Sequence, residues 1–252
     1  MLELNKIYNM DCLEGMKLID DGSIDMILCD LPYGTTACKW DSVIPLEPLW
    51  EQYKRIIKDR GAIVLTASQP FTTILIASNM TMFKYCWIWK KPQGVDPFMA
   101  KYRPLNNYED ICVFSIGTTK YYPQMDSGKP YTVTRDRKPR NYEITATTMK
   151  QTTTVNAGFR YPTRIIEFNQ ERGLHPTQKP VKLFEYLIKT YTNEGETVLD
   201  NCMGSGTTAI ACINTGRNFI GFELDKHYCD IANERIRNAL AKKEATLLDN
   251  CF

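Results

Sequence analysis

The sequence lacks long apolar runs, paired cysteines and more than a few histidines. No stretch reaches the roughly 18 consecutive apolar residues of a membrane-spanning helix, and residues 1–11 lack the apolar core of a secretory signal. The nine cysteines form no C-x-x-C pair, and there are only two histidines. These absences argue against a zinc site and a disulfide framework. We therefore expect a reduced, metal-free protein of the cytoplasm.

The composition is that of an ordinary globular protein, with 252 residues, 43% hydrophobic and 24% charged. This excludes a disordered chain, and a net charge of +2 says little about partners. Short β-branched runs alternate with amphipathic stretches, a pattern typical of an α/β fold. We predict strands at residues 6–9, 24–29, 62–66, 85–90, 111–116, 197–199 and 219–222.

Residues 119–174 differ from the rest of the chain in composition. They are rich in Thr, Tyr, Pro and Arg and show no clear periodicity. Basic residues interleaved with tyrosines are typical of a surface that follows phosphates and stacks on bases. An irregular solvated insertion explains the same composition equally well. The candidate nucleic-acid-binding residues are Lys120, Arg135, Arg137, Lys138, Arg140, Arg160 and Arg164.

Residues 198–209, V-L-D-N-C-M-G-S-G-T-T-A, run from a buried strand through a glycine turn into a helix. Gly204 and Gly206 permit a tight turn and let a ligand approach the backbone. Glu223 ends an apolar strand, where an acid can accept hydrogen bonds from ribose hydroxyls. Strand, turn, helix, strand and acid together predict a nucleoside-binding unit.

Two cofactor classes fit this unit. The pattern satisfies G-x-G-x-x-A, which leaves a dinucleotide-dependent dehydrogenase open. Asp200, however, precedes the turn closely and would crowd a pyrophosphate. An acid suits a cationic cofactor better, and S-adenosylmethionine carries both an amino group and a sulfonium.

A second set of polar groups follows the strand at residues 24–29. Asp30 ends this strand, and ligands of open α/β sheets bind outside the carboxyl ends of strands. Pro32 stiffens the turn, which leaves the Leu31 carbonyl free to accept, and Tyr33 offers a flat face. Such a set can hold a planar amino-heterocycle by its amino hydrogens while the ring stacks. The tetrapeptide Asp30-Leu31-Pro32-Tyr33 alone could equally be an ordinary turn.

Four motifs in one order resemble the permuted β group of exocyclic-amino DNA methyltransferases. Asp30–Tyr33 resembles the catalytic D-P-P-Y motif, and residues 200–206 resemble D-P-F-x-G-S-G. H-P-T-Q-K-P at residues 175–180 and N-F-I-G-F-E at residues 218–223 match the two remaining segments. Only residues 118–172 go unmatched, where this family has its variable target-recognition region.

The resemblance implies a seven-stranded Rossmann-like sheet with helices on both faces and three regions. Residues 1–118 would form the catalytic half, 119–174 the target-recognition insertion and 175–252 the cofactor half. It implies S-adenosylmethionine as cofactor, double-stranded DNA as partner, and a bacterial or phage-encoded enzyme acting in the cytoplasm, with a homodimer among the assemblies considered. The implied cofactor-binding residues are Asp11, Asp30, Lys179, Asp200, Cys202, Gly204, Gly206, Thr207, Thr208 and Glu223.

The sequence departs from the family pattern at two places. Leu31 replaces the first proline of D-P-P-Y but keeps the backbone carbonyl that the family uses. Asn201 and Cys202 replace Pro and Phe, which predicts looser packing around the cofactor. His175 resembles a general base, but its turn lies outside the Asp30 set, so we assign it to structure or phosphate contact.

The implied reaction is methyl transfer to adenine N6 of a flipped-out base. Hydrogen bonds from the amino group to the Asp30 carboxylate and the Leu31 carbonyl would aim the nitrogen lone pair at the methyl group. Tyr33 would stack on the base. Cytosine N4 is the main alternative target, although enzymes of that kind usually begin the tetrapeptide with Ser. An RNA or protein amino-methyltransferase and a non-catalytic DNA-binding subunit are weaker alternatives.

Overall fold

The computed structural model describes residues 2–34, 42–95, 97–136, 151–171 and 178–249. Its strands are β1 (Lys6–Asn9), β2 (Ile24–Asp30), β3 (Ile57–Ala67), β4 (Phe83–Val95), β5 (Asn106–Phe114), β6 (Asp126–Ser127), β7 (Tyr131–Asp136), β8 (Gln151–Asn156), β9 (Phe159–Arg160), β10 (Ile165–Glu167), β11 (Thr197–Asp200) and β12 (Asn218–Glu223). Its helices are α1 (Cys12–Met16), α2 (Leu46–Ile56), α3 (Phe71–Ser78), α4 (Val181–Tyr191), α5 (Thr207–Thr215) and α6 (Lys226–Asp249). A short 3₁₀ helix spans Pro97–Met99.

Eight strands form the central sheet, in the order β1-β12-β11-β2-β3-β5-β4-β10. Neighbours run parallel except where β5 pairs with β3 and β4, so β5 is reversed. All seven predicted strands lie in this sheet, and the α/β prediction is confirmed. The sheet is one strand wider than predicted because β10, only three residues long, pairs with β4.

Helices cover both faces of the sheet, so the strands are buried on both sides. Along β2, the side chains of Met26 and Leu28 enter one core and those of Ile27 and Cys29 enter the other. This alternation follows from the period of two in a strand. The first core is completed by α4, α5 and α6, through residues such as Leu187, Ala209 and Ala232. The second is completed by α1, α2 and α3, through residues such as Met16, Tyr53 and Leu75.

The apolar spacing of the sequence explains the helices that flank the site. In α4, which follows Pro180 directly, Leu183, Phe184, Leu187 and Ile188 are fully or almost fully buried. Residues three and four apart lie on one face of a helix, and this stripe packs on the sheet. Within the described residues, no helix is long and apolar enough to cross a lipid bilayer.

The parallel strands β2, β3, β11 and β12 end at one side of the sheet, which we call the carboxyl edge. Asp30 is the last residue of β2, Asp200 of β11 and Glu223 of β12. Because β11 lies between β12 and β2, the predicted cofactor strand and the predicted catalytic strand are neighbours. The topology therefore brings both predicted motifs to one edge.

Residues 123–163 form a separate compact unit. In its described part, β6 pairs with β9 and β7 with β8, both antiparallel. This unit is narrower than the predicted insertion of residues 119–174. The amides of Lys120 and Tyr122 still donate to carbonyls of the main unit, at 3.0 and 2.8 Å, and β10 belongs to the central sheet.

Candidate active site

Asp30 is the polar centre of the carboxyl edge. Its Oδ1 accepts hydrogen bonds from the Tyr33 hydroxyl, at 2.8 Å, and from the hydroxyl of Thr66, its register partner on β3. Its Oδ2 accepts from Lys179 Nζ at 2.7 Å. A carboxylate has about four acceptor positions. Three donors therefore leave Asp30 with room for one further hydrogen bond.

Tyr33 is held against Asp30 by packing as well as by its hydroxyl. Its ring stacks on Phe71, with centroids 5.3 Å apart and planes 21° apart. Burial, and then the charges of Asp30 and Glu109, raise the pKa of Tyr33 well above its ordinary value. The phenol therefore stays protonated and acts as a donor. The predicted set is completed by Leu31, which is buried, and Pro32, which is half-buried.

A chain of alternating charges extends from Asp30 into the protein. The side chain of Lys179 is only 6% exposed and lies 2.7 Å from Asp30 Oδ2 and 3.3 Å from Glu109 Oε2. Glu109 Oε1 in turn contacts Lys91 Nζ at 2.5 Å. Burial opposes the charge of Lys179, but Asp30 and Glu109 outweigh it and raise its pKa. Lys179 is therefore a cation shared by two carboxylates.

The glycine turn after β11 is held by Asp200, which is buried. Its Oδ1 accepts from the Cys202 amide at 3.0 Å, and its Oδ2 accepts from the Thr208 hydroxyl. Burial raises the pKa of Asp200 to about 6. The structure thus directs this carboxylate into the turn itself. Asp200 shapes the loop, and its predicted direct contact with the cofactor stays a prediction.

Gly206 and Gly204 both adopt left-handed backbone conformations, with φ of +87° and +53°. A Cβ on Gly206 would come within 3.0 Å of Ala232 Cβ in α6, so the helix packs directly on the turn. A Cβ on Gly204 would meet nothing nearer than the Cys202 carbonyl at 4.0 Å. The backbone at Gly204 is therefore open to an approaching ligand, as the sequence predicts.

Glu223 closes the other side of the turn. Its Oε2 accepts from the Gly204 amide at 2.7 Å, and its Oε1 accepts from the Asp225 amide at 2.8 Å. Burial is the main cause that raises its pKa. Each carboxylate oxygen retains a second acceptor position. Glu223 can therefore hold the loop and still accept a hydroxyl.

Lys179 joins the two predicted motifs. Its backbone carbonyl accepts from the Thr207 hydroxyl at 3.3 Å, while its amino group contacts Asp30. Asp11 caps a helix, and its predicted contact with the cofactor stays a prediction. Its Oδ1 caps α1 by accepting from the Leu13 and Glu14 amides at 2.9 and 3.1 Å. Cys202 is half-buried and packs against the second core.

Lys120, one of the predicted nucleic-acid-binding residues, lies in an ion-pair cluster of the main unit. Lys120 Nζ contacts Glu196 at 2.5 Å and Asp25 at 3.4 Å, where β2 and β11 begin, opposite Asp30. We therefore remove Lys120 from the predicted surface.

Arg160, Arg164 and Arg135 have different surroundings. Arg160 lies over the Tyr131 ring at 4.7 Å and donates to the Lys129 carbonyl, which orders its own unit. Arg164 lies 5.4 Å from the Tyr85 ring, and Arg135 is exposed on β7. Arg137, Lys138, Arg140 and His175 lie outside the described residues.

Three side chains of the site were not predicted from the sequence. Thr66, Glu109 and Lys91 all contact Asp30 or its charge chain. Thr66 gave a usable signal, since it is a polar residue at the carboxyl end of a predicted apolar strand. Glu109 and Lys91 gave no signal in the sequence, because each is a single charged residue beside a strand. The β4–β5 pairing brings them together.

The reversed β5, the glycine turn after β11 and the acid at the end of β12 define a Rossmann-like methyltransferase fold. The DNA methylase family N6_N4_Mtase matches residues 24–234, and the chain belongs to this family.

Individual relatives agree with this assignment. The Type II methyltransferase M.HpaI of Haemophilus parainfluenzae is 28% identical over 245 residues, which are 90% of this chain and 72% of that protein. The crystal structure of the M1.HpyAVI-SAM complex has a TM-score of 0.62 at 24% identity, covering 91% of this chain and 98% of that one. PvuII DNA methyltransferase, cytosine-N4-specific, has a TM-score of 0.66 at 15% identity, with 92% and 90% covered.

Proposed function

We propose that this DNA methylase transfers a methyl group from S-adenosylmethionine to adenine N6 at a specific site in double-stranded DNA. The observation that carries the proposal is the placement of Asp30 beside the glycine turn, on neighbouring strands of one edge. A carboxylate with one acceptor position left matches an amino group that must give up a proton during methylation. Lys179 connects this carboxylate to the turn.

The residues of the turn fit S-adenosylmethionine. Gly204 offers open backbone, and Glu223 offers acceptor positions for ribose hydroxyls at the end of the next strand. The structural relative M1.HpyAVI was solved with SAM. The cofactor would supply an activated methyl group on a sulfonium. Of the predicted cofactor residues, we keep Gly204, Gly206, Thr207 and Glu223 for binding. The turn is held by Asp200, Thr208 and Cys202. Asp11 caps α1, and the Lys179 side chain forms an ion pair with Asp30.

Asp30 and Leu31 would orient the target nitrogen. The amino hydrogens of adenine would be accepted by the remaining position of Asp30 and by the Leu31 carbonyl, which would favour a pyramidal nitrogen. Its lone pair could then point along the line of attack. Thr66, Tyr33 and Lys179 would fix the carboxylate while positive charge develops on the nitrogen. Such preorganised groups need no rearrangement during the reaction.

Adenine is favoured over cytosine by the first residue of the tetrapeptide. Cytosine-N4 enzymes of this group usually carry Ser at that position, and this chain carries Asp30. The base would first leave the duplex, at a cost of a few kcal/mol. Tyr33 would stack on it, which returns roughly 1–3 kcal/mol. We assign phosphate contacts to Arg135 and, from the sequence alone, to Arg137, Lys138 and Arg140.

The test is tritiated methyl transfer from S-adenosylmethionine to unmethylated duplex DNA, followed by nucleoside digestion and mass spectrometry. We expect N6-methyladenine, and sequencing of the modified positions then gives the recognition site. N4-methylcytosine would correct the target base. Label absent from DNA but present in RNA or protein would overturn the proposal.

A further inference from the structure

The β4–β5 hairpin projects past the catalytic residues. Asp30 pairs with Thr66, Thr66 with Ile111, and Ile111 with Trp87, so these four residues are level across the sheet. β3 ends one residue later, at Ala67. β5 begins five residues before Ile111, which corresponds to roughly 17 Å of strand. The hairpin therefore extends well beyond the carboxyl edge, on the side from which a substrate would reach Asp30.

The tip of this hairpin, residues 97–105, is ordered by its own backbone. The amides of Tyr102 and Arg103 donate to the Met99 carbonyl at 2.9 and 3.0 Å. At its base, Leu105 packs closely on Gly94, where an added Cβ would come within 2.7 Å of Leu105 Cβ. The tip is thus a defined structure with a fixed set of outward side chains.

The outward side chains of the hairpin tip are aromatic and basic. Phe98 is 92% exposed and Tyr102 is 81% exposed. The sequence of the tip, P-F-M-A-K-Y-R-P-L, contains Lys101 and Arg103, and Asp96 directly precedes it. Large apolar side chains in full contact with water indicate a binding surface. Cations beside exposed aromatic rings are typical of a surface that binds nucleic acid, which combines phosphates with stacked bases.

We propose that the hairpin tip binds duplex DNA, with Lys101 on the phosphates and Phe98 inserted against the bases beside the target. This inference rests on the proposed function, and it places a DNA-contacting surface in the main unit. Removing a base from the stack leaves a gap, and apolar side chains inserted between base steps stabilise such distorted DNA. Phe98 combines apolar character, exposure and a position beyond Asp30.

Phosphate contact is tested first, because it does not depend on the recognition site. Binding of a 30-base-pair duplex of random sequence is measured by fluorescence anisotropy between 50 and 200 mM NaCl. Replacing Lys101→Met should reduce the slope of log Kd against log salt by about 1. The control Lys54→Met, in the last turn of α2 directly before β3 begins, should leave the slope unchanged. An unchanged slope in the tip variant would overturn the phosphate assignment.

Insertion is tested with Phe98→Ala, Phe98→Trp and the control Met80→Ala, which removes another exposed apolar side chain. On unmethylated DNA, we expect Phe98→Ala to lower kcat/KM at least about ten-fold, with Kd for S-adenosylmethionine unchanged. Phe98→Trp should retain activity, and its fluorescence should be quenched by the duplex. Wild-type rates in Phe98→Ala would overturn the insertion.

Two further outcomes separate the possible failures. If Phe98→Ala converts a dimer into monomers in sedimentation, the tip binds a second copy of the chain and the inference is wrong. If the wild-type protein methylates no DNA, the proposed function fails, while the salt slope still decides whether the tip contacts phosphates.

Discussion

Lys179 Nζ lies 2.7 Å from Asp30 Oδ2, although the two residues are 149 positions apart in the chain. The contact joins the catalytic motif in one half of the chain to the motif that precedes the cofactor strand in the other. The resemblance to the family placed Lys179 among the cofactor residues. In the structure only its backbone carbonyl faces the cofactor turn, while its charge is shared by Asp30 and Glu109. In the proposed function, Lys179 is therefore a positioning residue for the carboxylate.

Replacing Asp30 with Ala should remove methyl transfer but leave cofactor binding intact. The carboxylate contacts Thr66, Tyr33 and Lys179 but none of the turn residues. Loss of a preorganised electrostatic group costs about a hundred-fold or more in rate. Single-turnover methylation and calorimetric titration with S-adenosylmethionine measure the two properties. Retained methylation would exclude the assigned role.

Replacing Lys179 with Met should lower both activity and stability. The partly buried carboxylates of Asp30 and Glu109 would lose their shared cation, and the cost of about 3–5 kcal/mol for breaking a fully buried ion pair is an upper limit here because Asp30 is 24% exposed. Adding Asp30→Asn should restore part of the stability, because it removes the charge that Lys179 neutralised, whereas Glu109 keeps its contact with Lys91. The matched control is Lys182→Met, whose side chain is 74% exposed in its pair with Glu185.

The same variants distinguish a positioning role from a cofactor role. Met keeps the backbone carbonyl that accepts the Thr207 hydroxyl, so Lys179→Met should lower kcat and leave Kd for S-adenosylmethionine unchanged. A weakened cofactor affinity with normal kcat would instead support the role expected from the sequence.

The sequence predicted the fold well because the strong signals are local. Each strand is a short apolar run, and α4 begins directly after Pro180 and carries apolar residues at helical spacing. β10 was missed because a three-residue strand has too few positions to show a period. The bounds of the insertion stay a prediction; Lys120 and Tyr122 lie within the predicted range, and their amides bond to the main unit.

The candidate site was predicted in position but not in its interactions. Motif order and strand ends brought Asp30, Gly204 and Glu223 to one edge. The partners of each carboxylate depend on side chains far apart in sequence, such as Glu109 and Lys179. Asp200 illustrates the difference, because its sequence position suggests ligand contact while its actual partners are Cys202 and Thr208. Burial of these groups follows from tertiary packing alone.

Asp200 should make stability depend on pH. Burial raises its pKa from 3.8 to about 6, so the folded state favours the protonated form. Its stabilising contribution is fully present below pH 3.8 and is lost as the pH rises through 6. Between pH 5 and pH 7.5 the loss amounts to about 1–2 kcal/mol. Denaturant unfolding of wild type and Asp200→Asn at both pH values measures this change in the free energy of unfolding.

The amide in Asp200→Asn cannot ionise but can still accept from the Cys202 amide. The stability of this variant relative to wild type should therefore improve as the pH rises. Asp230→Asn is the control, because Asp230 is an exposed residue paired with Lys226. A difference between Asp200→Asn and wild type that stays constant with pH would show that Asp200 is ionised throughout.

Replacing Gly206 with Ala should weaken cofactor binding through the shape of the turn. The new Cβ would lie 3.0 Å from Ala232 Cβ at a φ of +87°, so strain and crowding combine and α6 or the turn must shift. Gly195→Ala is a close control, because φ there is +80° with no atom within 4 Å of the new Cβ. Both variants carry the backbone strain, which costs about 1 kcal/mol of stability. Only Gly206→Ala should also raise Kd for S-adenosylmethionine, measured by calorimetry. Equal effects of the two variants on Kd would show that the packing of α6 against the turn has no part in cofactor binding.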